Sequence, residues 1–226
     1  MKFKVNTAAD AVQETNGSSY IASSGIYPVE IAFASIDVSK GGAESVNFNL
    51  NYNGNSQTIY GPYVTDKQGS TLEIGAKLIN KLAIIAGMTD GDDFEVEQES
   101  HTVGKDNKEV EFAVITNFSE LPIQIHLQEE YSINPTKNEI QKRLVVKNFF
   151  REDGASAEEI VNGSDIGKRI EITREKYASN ITYKDDLTPE AVQEWKDARK
   201  AAATGGATPA PKKAAAPKKA GGSLFK

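Results

Sequence analysis

Ser45-Val46-Asn47-Phe48-Asn49-Leu50-Asn51-Tyr52 alternates along its length, with Val46, Phe48, Leu50 and Tyr52 on one side and Ser45, Asn47, Asn49 and Asn51 on the other. A side-chain period of two belongs to a strand with one buried face. Asparagine cannot fill a dry core without hydrogen-bond partners, so the second face is either exposed or meets something polar. Asn53-Gly54-Asn55 supplies the chemistry of a tight hairpin turn. Residues 57–64 (QTIYGPYV) then return as the next strand, with Gly61-Pro62 marking a bulge or an edge. On the N-terminal side, Gly41-Gly42 marks a turn after residues 25–38 (GIYPVEIAFASIDV), whose β-branched and aromatic content reads as a long first strand. Together these make a three-stranded meander.

Between residues 71 and 88 the period changes. Leu72, Ala76, Ile79, Ala83 and Ala86 fall on one stripe and Ile74, Leu78, Leu82 and Ile85 on the next, which predicts a helix with a wide apolar face, stopped by Gly87. Further strands are expected at residues 110–116, 121–127, 140–150 and 170–173, with short helices at 156–161 and 188–200. The second of these helices opens on Thr188-Pro189-Glu190, an N-cap, a proline at the first helical position and an early acid. Trp195, with Ala191, Val192 and Ala198 beside it, should anchor that helix to the body. Strands, a helix, then more strands is the order of a mainly β protein. An OB-like β-barrel with one packed helix, a short C-terminal helix and a disordered tail is the simplest fold that fits.

The tail is electrostatically separate. Residues 201–226 hold five lysines and no acid, so the chain's 26 Lys+Arg and 32 Asp+Glu divide into an arm of +5 and a body, residues 1–200, of −11. An Ala/Pro/Gly/Lys arm buries too little apolar surface to offset the entropy of ordering, and it should be a mobile tether. Apolar character returns only at Leu224 and Phe225, a small bait for a partner. Two hundred residues suit one elaborated domain. The N-terminus lacks a secretory apolar core and no stretch has the length of a membrane span, so a cytoplasmic location is expected.

Chemistry for catalysis is sparse. The chain has no cysteine and two histidines, His101 and His126, which leaves no thiolate nucleophile, no cysteine-based metal site and no histidine-rich cluster. No phosphate loop, nucleophile elbow, HExxH or calcium loop is found. The paired acids Asp92-Asp93 and Asp185-Asp186 sit in turn-like flanks and read as turn acids rather than ligands of a two-metal site. His126 shares the polar face of an alternating strand with Gln124 and Gln128, which predicts a surface or hydrogen-bonding role; His101 falls in an acidic, loop-like region. No enzyme activity and no cofactor are implied.

Binding chemistry is better represented. Single-strand binders combine cations that follow phosphates with rings that stack on bases, each stack being worth about 1–3 kcal/mol. In residues 141–151 (QKRLVVKNFFR), Lys142, Arg143, Lys147 and Arg151 interleave with Phe149 and Phe150. Regular alternation would place Arg143, Lys147, Phe149 and Arg151 on one side and Leu144, Val146 and Phe150 on the other. Lys168, Arg169, Arg174 and Lys176, with Tyr177, extend the cationic track, and the meander adds Tyr52, Tyr60 and Tyr63. Tyr60 and Tyr63 fall on opposite faces of a regular strand unless Gly61-Pro62 resets the register. The competing reading makes Phe149 a core residue and the cations a solvated face.

A strand of the form Gly25-Ile26-Tyr27-Pro28-Val29-Glu30-Ile31, a β-meander, a helix ending in Ala86-Gly87 and a TPEAVxxW helix from Thr188 to Trp195 together resemble phage-encoded single-stranded DNA-binding proteins, over residues 20–200. The resemblance implies an OB-fold that coats single-stranded DNA during replication, recombination or repair, with a C-terminal tail that recruits replication or recombination proteins. Tails in such proteins are commonly acidic with a terminal aromatic. Here the tail is basic and Lys226 follows Phe225, so it should add phosphate contacts rather than compete with DNA. Against DNA binding stands the body's charge of −11, which repels a polyanion unless the cations are gathered. The alternatives are a β-rich virion or assembly protein and a metal-dependent nuclease built on Asp92 and Asp93.

Overall fold

A computed structural model describes residues 20–104 and 108–203. The alternating run forms β2 (Glu44–Tyr52), paired antiparallel with β1 (Gly25–Val38) on one side and β3 (Asn55–Ile59) on the other. Val46, Phe48 and Leu50 face the core, as the pattern predicts. The asparagine face takes the polar alternative. Asn47 and Asn49 are buried, with the Gly61 N–H donating to Asn47 Oδ1 (3.2 Å) and Thr58 Oγ1 to Asn49 Oδ1 (2.6 Å). Only Asn51 of the three is exposed, and its amide donates to Glu30 (2.8 Å).

β3 ends at Ile59, short of the expected Val64, because Pro62 has no N–H for a ladder. Beyond it the chain stays beside β2 through the Ser45–Tyr63 bridge. Gly61 is required there: a Cβ on it would lie 1.7 Å from the Val46 carbonyl oxygen. The helix α1 (Glu73–Ile85) follows and buries Leu78, Ile79, Leu82, Ala83 and Ile85. Its expected apolar face does not extend to the N-terminal end, where Ile74 and Leu72 are exposed.

A hairpin of β4 (Val96–Val103) and β5 (Lys108–Ile115) comes next, then the long pair β6 (Leu121–Asn134) and β7 (Glu139–Arg151). β4 corrects the loop expected around His101. The first half of β1 pairs with β6 and its second half with β5 and β2. The sheet order β3-β2-β1-β6-β7 is that of an OB-like barrel; β3 and β7 approach one another with α1 against β7, and no ladder joins them among the described residues. The barrel interior holds Phe48, Phe149, Ile125, Leu127 and the α1 stripe, with Phe48 and Phe149 edge to face at 5.3 Å.

Three helices and a short strand complete the described residues. α2 (Ala157–Asn162) carries a capping box between Ser156 and Glu159. α3 (Lys168–Lys176) occupies the run expected as a strand at residues 170–173. Ile170 and Thr173, its two buried residues, are spaced i, i+3, a helical period that three residues of β-branched sequence obscured. β8 (Ile181–Tyr183) lies parallel to β6, and α4 (Pro189–Ala203) docks through Trp195, 6.1 Å from the Tyr131 ring and edge to face with it. No helix among the described residues is long and apolar enough to cross a membrane.

Candidate nucleic-acid interface

One extra residue decides the β7 face. Opposite His126-Leu127, β7 supplies Asn148 and then Val146, so Lys147 is bulged out of the ladder. A bulge flips the alternation on one side of it. Arg143 (paired with Glu130), Val145, Asn148 and Phe150 therefore share one row, while Lys142, Leu144, Val146, Phe149 and Arg151 share the core-facing row. Phe149 is fully buried, which corrects its placement beside the cations: no base can stack on it in this fold. Arg151 and Lys142 stand at the two ends of the core row instead of next to Lys147.

Carboxylates meet several of the cations. Arg143 Nε donates to Glu130 (2.6 Å), Lys184 Nζ reaches the same carboxylate (2.9 Å), and Glu130 itself is buried. Burial pushes the Glu130 carboxyl up, but the hydrogen bonds from Lys184 and Arg143 outweigh it and hold the group below the usual range. Lys142 pairs with Glu129 (3.3 Å) and donates to the Ala22 carbonyl; Arg151 pairs with Asp153 (2.6 Å) and Lys168 with Asp165 (3.3 Å). The bond from Arg151 holds the Asp153 carboxyl below its ordinary range.

The C-terminal end of α3 lies over the outward row of β6. Arg174 donates to the Gln124 side chain (2.7 Å), and the Tyr177 carbonyl stands against the His126 ring. His126 is thus covered rather than surface-borne, because a helix occupies the face that a bare strand would leave to water. Phe150, Ile170 and Ala155 are buried outside the main core, and a Cβ on Gly154 would meet Ile170 at 3.1 Å. The result is a cationic rim around a covering helix, not an open groove floor. Lys147, beside the His126–Asn148 pair, and Arg174, on Gln124, are neighbours along the β6 row, whereas Arg143 and Lys184 meet at Glu130, four residues farther along the strand than His126. Arg169 and Lys168 sit at the far end of α3, where the Arg169 N–H donates to Glu159 (2.7 Å). Lys147, Arg169, Arg174 and Lys176 are exposed and make no ion pair with the described residues.

Tyr177 is the ring that reading the sequence as strands undervalued. It is 47 % exposed at the C-terminal end of α3, beside Arg174 and Lys176. Its signal was the basic run just before it, but placing that run against Gln124 required the helix. The meander tyrosines lie elsewhere. Tyr52 packs edge to face on Tyr27 (5.7 Å) against the core, whereas Tyr60 and Tyr63 are 76 % and 51 % exposed. Both point outward because the ladder stops at Ile59, so the Gly61-Pro62 break does reset the register. With Leu72 and Ile74 they are the exposed large apolar side chains of this end of the barrel.

Asp92, Asp185 and His101 make local structural contacts. Asp92 Oδ2 accepts from the Thr89 N–H (2.7 Å) and hydroxyl (3.0 Å) in a turn, and Asp185 accepts from the Ile133 N–H (2.7 Å). His101 stacks on Phe33 at 3.8 Å and contacts Glu99 at 2.7 Å. Among the described residues, no group of three or more His, Asp or Glu is arranged to hold a metal ion. Leu224 and Phe225 lie outside the described residues. No family model matches this chain, and no curated protein matches it in sequence.

Proposed function

We propose that this protein is a non-enzymatic, sequence-tolerant single-stranded DNA-binding protein that coats DNA during replication, recombination or repair, in the cytoplasm of a host cell. The observation that carries the reading is charge segregation. β7 holds four Lys and Arg against one Glu, and α3 four against two, in a body of net −11. Gathered cations of this kind attract a polyanion that the rest of the surface would repel. Phosphates follow Arg143, Lys147, Arg174 and Lys184, and bases stack on Tyr177, with Tyr60 and Tyr63 as a second stacking position. Carboxylate pairing weakens the track at Arg143 and Lys184, so the unpaired Lys147 and Arg174 carry most of the phosphate binding.

Fluorescence anisotropy with a labelled oligonucleotide at low ionic strength tests this. Binding should weaken linearly in log affinity against log salt, and K147E and R174E should each lower affinity at least about tenfold and flatten the slope by about one unit. Absence of any salt-sensitive association overturns the reading. A second reading, a β-rich virion or assembly protein, is favoured by the exposed apolar side chains Tyr60, Tyr63, Leu72 and Ile74. It predicts defined oligomers in sedimentation without nucleic acid, and indifference to the oligonucleotide.

A further inference from the structure

His126 is 5 % exposed, and its Nε2 atom is buried without a hydrogen-bond partner. It sits on the β6 row that α3 covers. The groups around it are lopsided: Lys147 faces it from β7, the Tyr177 carbonyl from the end of α3, and Arg174 lies two residues along the same row on Gln124. β1 brings Ile26, and Asn148 is its β7 neighbour; neither carries charge. No carboxylate pairs with the ring among the described residues.

We propose that His126 is an acid-sensitive latch: as the neutral imidazole it lets α3 close on the sheet, and its protonation releases α3. An imidazolium here has no counter-ion, meets the Lys147 charge, and is shielded from water by the helix itself. Lifting α3 hydrates the ring and separates it from the helix. Burial and the Lys147 charge hold the ring's pKa below its ordinary value, with the Tyr177 carbonyl opposing them only in part. The opened state binds the proton and the closed state does not, so closure is favoured above pH about 6.5 and weakens as pH falls below it. Opening would also part Arg174 and Tyr177 from Lys147, which makes the latch a regulator of the proposed DNA face.

The test uses the full chain without nucleic acid, so its outcome is independent of whether DNA binds. Hydrogen-exchange protection of amides 170–177, corrected for intrinsic rates, should fall by up to about tenfold per pH unit between about pH 6.5 and 5, while β2 amides hold theirs. In H126Q the pH dependence should vanish. The same fall in H126Q, or flat protection in the unmodified protein, overturns the latch. Should H126Q not fold, the His126 ring resonances of the unmodified protein decide. Titration below the ordinary range, in step with loss of α3 protection, supports the latch; titration at the ordinary value overturns it.

Discussion

Gly75 lies inside α1, where alanine ordinarily stabilises a helix by about 1 kcal/mol. Here a Cβ would stand 1.9 Å from the Tyr63 carbonyl oxygen, a backbone atom that cannot swing aside. G75A should therefore destabilise, by about 2–3 kcal/mol in urea unfolding, reversing the sign that propensity gives. Phe149 allows an equally sharp test, since it is a core residue in a run that reads as binding chemistry. F149A should cost about 3–5 kcal/mol and leave the affinity of the folded fraction for an oligonucleotide unchanged. At Glu130 the sign of a pH effect is fixed. Its carboxyl is held below an unfolded value of about 4.5, so its contribution to stability is present above that pH and is lost as pH falls through the lower folded value. In E130Q that part of the acid unfolding profile should disappear, and Arg143 and Lys184 become free for phosphate, raising oligonucleotide affinity.

At the scale of elements, α4 illustrates dependence on docking. A helix of this length is marginal in water by itself. It is held by the buried Val192 and by the Trp195–Tyr131 contact, with Lys196 over the Tyr131 ring at 4.9 Å, while Arg199 caps Trp195 within the helix at 4.9 Å. W195A should drop amide protection over residues 191–200 toward that of a free peptide while β2 stays protected, as measured by hydrogen exchange. The α2–α3 corner depends instead on one carboxylate. Glu159 completes the α2 capping box and also receives the Arg169 N–H, which ties the start of α3 to α2. Removing the cap with S156A should cost about 1 kcal/mol.

For the whole molecule the question is long-range charge. On the proposed reading, the body of net −11 would repel DNA at a distance, β7 and α3 would attract it nearby, and the lysine-rich residues beyond Ala203 would shift that balance. Deleting residues 204–226 should flatten the dependence of log affinity on log salt by up to about one unit for each phosphate that those lysines neutralise. An unchanged slope would assign the segment to partner capture alone.

Alternation and turn chemistry were enough, from sequence, to define β1, the β2–β3 turn, α1, the first half of β6, β7 and the proline-led α4, because each is a local period that a one-sided core imposes on its own residues; β6 runs on to Asn134, past the expected end at 127. Local pattern also located the cations of β7 and α3. What it could not supply was which of them meet. That depended on a single bulged residue at Lys147, which exchanges the two faces of β7, and on α3 folding over β6, which buries His126 and brings Arg174 and Tyr177 to the strand. Both are outcomes of long-range pairing: a register is set by the partner strand, and a covered face by the element that lands on it, neither of which is written in the neighbouring residues.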